Sequence, residues 1–185
     1  LGAVAHALGD WEAAIRSYRQ ALALLPGDFE GLNNLGAILT ERRNLAEARD
    51  VLSVAVQVHP LSWEAHMNLG IVLSELGELV AASAALEQAI AIKPDQTGVH
   101  KNLGANLQRQ GKLDAARAAY QVALSQEPRS ATAHNNLGLL LQEMGSHDDA
   151  ISALTYALVL DPDLTDAQNN LLFTINYHPD KSAEE

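Results

Sequence analysis

Apolar residues along this chain fall on two alternating helical stripes. Between positions 63 and 77, Leu69, Val72, Leu73 and Leu76 stand at i, i+3, i+4 and i+7, one face of a 3.6-residue period. After Gly77 the period restarts, and Ala82, Leu86, Ala89 and Ile90 mark a second face. The side of the first helix away from its stripe carries Glu64, Asn68, Ile71 and Glu75. This pattern predicts two amphipathic helices joined by a tight turn. Gly77 supplies the left-handed backbone that ends the first helix, and Pro94 stops the second. Gly70 and Ala82 lack bulk where the pair crosses, which lets the two backbones approach.

The same unit recurs every 34 residues. Proline returns at Pro26, Pro60, Pro94, Pro128 and Pro162, and alanine at Ala14, Ala48, Ala82, Ala116 and Ala150. Glycine returns at Gly2, Gly36, Gly70, Gly104 and Gly138, with a turn column at Gly9, Gly77, Gly111 and Gly145. The second unit departs from the turn column with Arg43 and Asn44, of which Asn44 is expected to take the left-handed conformation. The chain divides into a partial repeat at 1–28, full repeats at 29–62, 63–96, 97–130 and 131–164, and a sixth first helix with a linker at 165–185. A 34-residue step of small residues with a closing proline resembles the tetratricopeptide repeat. The resemblance implies an all-α fold, a right-handed α-solenoid of helix-turn-helix repeats whose first helices line the inner, concave surface.

One polar column calls for a reason of its own. Asn34, Asn68, Asn102, Asn136 and Asn170 share the 34-residue step, although each costs about 0.5 kcal/mol of helix propensity relative to alanine. They lie on the stripe that faces the groove. A carboxamide offers both a donor and an acceptor, matching the N–H and C=O of another backbone. A row of them holds extended polypeptide without reading its sequence, while Glu41, Glu75, Lys101, Arg109 and Glu143 beside it are candidates for specificity. At about 0.5–1.5 kcal/mol net per bond, such a grip is weak and exchangeable. The alternative is that the asparagines bond between adjacent repeats or to their own helix ends and set the pitch, and the two roles are compatible.

Composition narrows the chemistry. The chain has no cysteine, which removes disulfides, thiol catalysis and cysteine-based metal sites. A net charge of −11 argues against nucleic acid as a partner. No apolar run is long enough to cross a bilayer, so a cytoplasmic, membrane-free protein is expected. Because the chain opens on Leu1 in mid-repeat, its natural N-terminus is expected to lie upstream. His66, His100 and His134 form a column, but neighbouring helices pack about 8–10 Å apart, too far for equivalent residues to share one ion, so a role at helix starts is expected. Asp148 and Asp149 in "SHDDA" open a helix, where carboxylates offset the dipole and cap free N–H groups. "GANLQRQGK" lacks the spacing of a phosphate loop, and no nucleophile, base and carboxylate stand together. Neither a catalytic residue, a metal nor a cofactor is assigned to this chain.

The helix openings "EAHMNLG", "GVHKNLG", "TAHNNLG" and "DAQNNLL" resemble those of the tetratricopeptide region of protein O-linked N-acetylglucosamine transferases. The tail "NNLLFTINYHPDKSAEE" is similar to the junction at which bacterial relatives of that enzyme, and the plant SPINDLY type, enter their glycosyltransferase domain. The resemblance implies that the five asparagines form the family's substrate ladder. It also implies that a UDP-sugar site lies beyond Glu185, and that the partners are extended segments of acceptor proteins. Leu172 stands in the glycine column and Leu171, Phe173 and Ile175 are apolar, so a following domain, a neighbouring subunit or at least the residues after Glu185 are expected to cover the last helix. The alternatives are a free-standing adaptor and a self-associating scaffold. A carboxylate-clamp adaptor is disfavoured because Asn33, Met67 and Asn135 occupy the lysine position that only Lys101 fills.

Overall fold

A computed structural model describes residues 2–178, which form eleven α-helices. The acidic end of the chain, residues 179–185, lies outside the described residues. Two compact units divide the chain at Pro94. The first holds α1 (Gly2–Ala7), α2 (Trp11–Leu24), α3 (Phe29–Glu41), α4 (Leu45–Val58), α5 (Trp63–Glu75) and α6 (Leu79–Ile92). The second holds α7 (Thr97–Arg109), α8 (Leu113–Gln126), α9 (Ala131–Glu143), α10 (His147–Leu160) and α11 (Thr165–Asn176). Among the described residues no helix is long and apolar enough to cross a membrane.

Within each unit every helix packs on the next, and first helices also meet the first helix of the following repeat: α3 on α5, α7 on α9, and α9 on α11. Among the described residues second helices make no comparable contact with each other, so the first helices form the close-packed face of each unit. The small-residue columns explain how the pairs close. A Cβ on Gly70 would stand 2.7 Å from Leu86 Cγ, and one on Gly36 only 2.4 Å from Leu52 Cγ. Leu52, Leu86 and Leu154 are fully buried, each contributing about 1.5–3 kcal/mol of burial. Ala48, Ala82, Ala116 and Ala150 have no exposed surface at the same crossings.

Each second helix ends on a non-helical residue set by the proline that follows it, as with His59 at φ −133° before Pro60 and Lys93 at φ −142° before Pro94. The intra-repeat turn uses a residue at positive φ, for example Gly77 at 82°. In the second repeat that residue is Arg43, at φ 62°, and not Asn44. The closing bond runs from Asn44 N–H to Leu39 O at 2.9 Å, so the residue before Asn44 must be the one that turns left-handed. Asn44, at φ −85°, instead stands immediately before α4 and donates its amide to Glu47 Oε2 at 2.7 Å. A left-handed non-glycine costs roughly 1–2 kcal/mol. Arg43 accompanies that strain with an ion pair to Glu75 on α5.

The last helix packs on α9 and α10. Its apolar residues divide: Leu171 and Ile175 are half-buried, whereas Leu172 and Phe173 are 61% and 49% exposed. Leu172 fits in the glycine column because α11 has no following helix against which to close among the described residues.

Candidate functional site

In the first unit, α3 and α5 carry the same stripe twice. Glu30, Asn34, Ala37 and Glu41 stand at i, i+4, i+7 and i+11 on α3, and Glu64, Asn68, Ile71 and Glu75 repeat the spacing on α5. Neither helix contains lysine or arginine. Asn68 lines an open cavity of about 200 Å³ with Ala37, Thr40, Glu41 and Ile71. Asn34 is exposed and lines another, of about 450 Å³, with Glu30, Gly31 and Tyr18. Glu41 and Glu75 are the last residues of their helices, where a carboxylate opposes the helix dipole at about 0.3–1 kcal/mol. Helix stability alone therefore does not explain them. Glu75 is engaged by Arg43, which leaves Glu41 the carboxylate at the cavity rim.

The second unit gathers Asn136, Arg109 and Glu143 around one cavity of about 460 Å³, together with Ala105, Gln108, Leu139 and Tyr120. Tyr120 forms its floor because Gly104 leaves room: a Cβ there would meet the ring at 2.7 Å. The Tyr120 hydroxyl donates to Gln108 Oε1 at 3.4 Å, and Gln108 Nε2 donates to Glu143 Oε2 at 2.8 Å. A carboxylate only accepts, so this chain fixes which way the Gln108 amide faces. Lys101, half-buried, donates to Thr132 Oγ1 at 3.3 Å and is not among the residues lining the cavity. Asn102 and Asn170 are half-buried on α7 and α11.

Burial, with a smaller contribution from the nearby Glu143 charge, pushes the Tyr120 phenol up to about 12. In the unfolded chain a tyrosine ionises near pH 10, so below that pH the group leaves stability unchanged. Between pH 10 and about 12 the unfolded state loses its proton first, and stability should fall by about 2–3 kcal/mol in total. Urea unfolding at pH 9 and pH 11.5 measures this, and Tyr120→Phe is expected to show a smaller alkaline loss than the parent chain.

The structure supplies the partners for two of the sequence columns. Asn68 Nδ2 donates to Asn33 Oδ1 at 2.9 Å, and Asn170 Nδ2 donates to Asn135 Oδ1 at 2.9 Å. Part of the asparagine column thus bonds between adjacent repeats while Asn34, Asn68 and Asn136 also face open cavities. Two members of the histidine column clamp a turn. His66 Nε2 meets Pro60 O at 3.0 Å and His134 Nε2 meets Pro128 O at 2.9 Å. The carbonyl only accepts, so the ring Nε2 carries the proton, and Gln168 makes the same bond to Pro162 O at 2.8 Å. Asp148 sits in the first turn of α10, and its carboxylate meets His178 Nε2 at 3.2 Å.

A family model for the tetratricopeptide repeat matches residues 1–58 and 102–165, and a second such model matches residues 39–107. No curated protein matches the chain. Among solved structures, MamA superposes with a TM-score of 0.78 at 28% identity, covering 88% of this chain and 95% of MamA. TTC0263, a thermophilic TPR protein of Thermus thermophilus, gives 0.79 at 24% identity, covering 95% and 96%. YrrB, described as a TPR protein with an unusual peptide-binding site, gives 0.73 at 23% identity, covering 91% and 87%.

Proposed function

Because this chain belongs to the tetratricopeptide-repeat family, whose helix pairs serve as protein–protein interaction modules, we propose that the first-helix face of each unit holds extended polypeptide through its asparagine carboxamides. One observation carries the reading: Asn34, Asn68 and Asn136 each line an open cavity on a first helix, where filler residues would be alanine. The same fold in YrrB is described as carrying a peptide-binding site, so a stack of this kind is able to hold peptide. Charged neighbours select among segments. The two first-helix stripes of the first unit carry Glu30, Glu41, Glu64 and Glu75 and no cation, which favours segments with lysine or arginine there. The protein's net charge of −11 is consistent with protein, and not nucleic acid, as the partner.

The test uses three 12-residue peptides: a glycine-serine repeat, the same repeat with two lysines, and the same repeat with two glutamates. Titrated into the ¹⁵N-labelled chain, the plain repeat is expected to shift the side-chain amide signals of Asn34, Asn68 and Asn136. The lysine peptide should bind about two- to tenfold more tightly than the glutamate peptide, with the gap closing as salt rises. Shifts confined to the second helices would remove the groove from the account.

The narrower form of this reading makes the stack the acceptor-recruiting arm of a cytoplasmic protein glycosyltransferase that uses a UDP-sugar. It rests on the helix openings and on the exposed Leu172, Phe173 and Tyr177 of the last helix and its end, which a following domain would cover. None of the matches named above is described as a transferase, and a free-standing module or a self-associating scaffold is the alternative. A two-lobed α/β nucleotide-sugar domain encoded after Glu185 is what the arm requires, and its absence from the gene would leave the free-standing module.

A further inference from the structure

We infer that Asn33 and Asn135 are positioning residues that tie down the carboxamides of Asn68 and Asn170 and so convert two flexible rungs into fixed, acceptor-rich ones. The inference rests on the groove reading given above.

The tie is built the same way in each unit. A rung and its anchor are 35 residues apart, one position off the repeat, on successive first helices. In both pairs the rung's Nδ2 donates to the anchor's Oδ1 at 2.9 Å. Asn135 is only 6% exposed, so it belongs to the packed layer between α9 and α11 and not to the open surface. Asn33 is half-buried between α3 and α5.

The chemistry follows from counting. A carboxamide has two N–H donors and an oxygen with two lone pairs. A tied rung has given one N–H to its anchor and keeps its whole acceptor capacity with one remaining donor. It therefore matches a backbone N–H of the ligand better than a backbone C=O. Immobilisation acts in the same direction, because an amide already fixed in the groove loses less rotational freedom when the ligand arrives. The rung at Asn136 differs. The residue 35 positions before it is Lys101, whose ammonium donates to Thr132 Oγ1 at 3.3 Å. Asn136 is thus able to offer either end of its amide, and within the second unit it stands beside the fixed rung Asn170 as an adaptable one.

The experiment compares Asn33→Leu, which removes the acceptor at similar size, with Asn33→Asp, which keeps an acceptor oxygen facing Asn68 Nδ2. Asn68→Ala serves as the reference, and the probe is the glycine-serine 12-mer on the full chain. Asn33→Leu is expected to weaken binding about two- to tenfold, the worth of one hydrogen bond. It should also narrow the separation between the two Asn68 side-chain amide protons. Asn33→Asp is expected to restore both. Should Asn33→Leu fail to fold by circular dichroism, Asn33→Ala takes its place with the same expectation. Weakened binding by Asn68→Ala with no effect of Asn33→Leu overturns the positioning role and leaves the groove intact. Loss of affinity in both Asn33 variants makes the residue a packing element only. Unchanged binding by Asn68→Ala removes the groove and the anchor together.

Discussion

Gly36→Leu is expected to destabilise the chain by about 3 kcal/mol or more, whereas Leu172→Gly, the reverse change in the same column, should cost no more than about 1 kcal/mol. The two positions are equivalent in sequence, separated by four repeat steps. Their surroundings decide the outcome. A Cβ on Gly36 would lie 2.4, 2.5 and 3.1 Å from Cγ and the two Cδ atoms of Leu52. Leu52 has no exposed surface, so it cannot swing aside without displacing α3 from α4. The added side chain must therefore separate the helices and expose the first unit's core, which includes Leu35, Ile38, Leu39 and Val72. Leu172 is 61% exposed, and its removal leaves no void and loses only the helix propensity of a leucine. Urea midpoints at equal m-value give both numbers. A Gly36→Leu chain with an unchanged midpoint would mean that helix separation is cheap, contrary to the packing described.

The steric half of this contrast is legible in the sequence. The glycine and alanine columns report a steric requirement that acts identically in every repeat, so periodicity exposes it directly. The turn in the second repeat was harder. Arg43 occupies the turn column, and a preference for asparagine over arginine at positive φ points to the wrong neighbour. The register of the Asn44 N–H bond to Leu39 O outweighs that intrinsic preference, as tertiary geometry commonly does.

The candidate site was legible to a different depth. The asparagine interval marks which residues are equivalent, and the cavities at Asn34, Asn68 and Asn136 lie along that column. Equivalence says nothing about which side chains meet between repeats, since that depends on how far each helix is rotated relative to the last. Hence the 35-residue pairs Asn33–Asn68 and Asn135–Asn170 had no signal in the 34-residue pattern. Likewise Gln108 and Tyr120 carry no motif. Tyr120 stands where Leu52, Leu86 and Leu154 stand in other repeats, with Gly104 leaving room for its ring, and Gln108 lines the same cavity.

Changing Asn34, Asn68 and Asn136 together to alanine should separate binding from stability by moving them in opposite directions. Each carboxamide that reaches the ligand backbone is worth about 0.5–1.5 kcal/mol net, so losing the set should weaken the glycine-serine 12-mer by about tenfold or more. Stability follows the opposite balance. Alanine gains about 0.5 kcal/mol of helix propensity at each position, against the loss of the single bond between Asn68 and Asn33. The variant should therefore unfold at the same urea concentration as the parent or slightly above it. Residues that only set the pitch of the stack would give the other result, with the unfolding midpoint falling and the peptide affinity of the folded fraction preserved. A helix former placed on an exposed first-helix face in place of asparagine improves the fold and removes the grip. That opposition is the physical reason for asparagine to stand there at all.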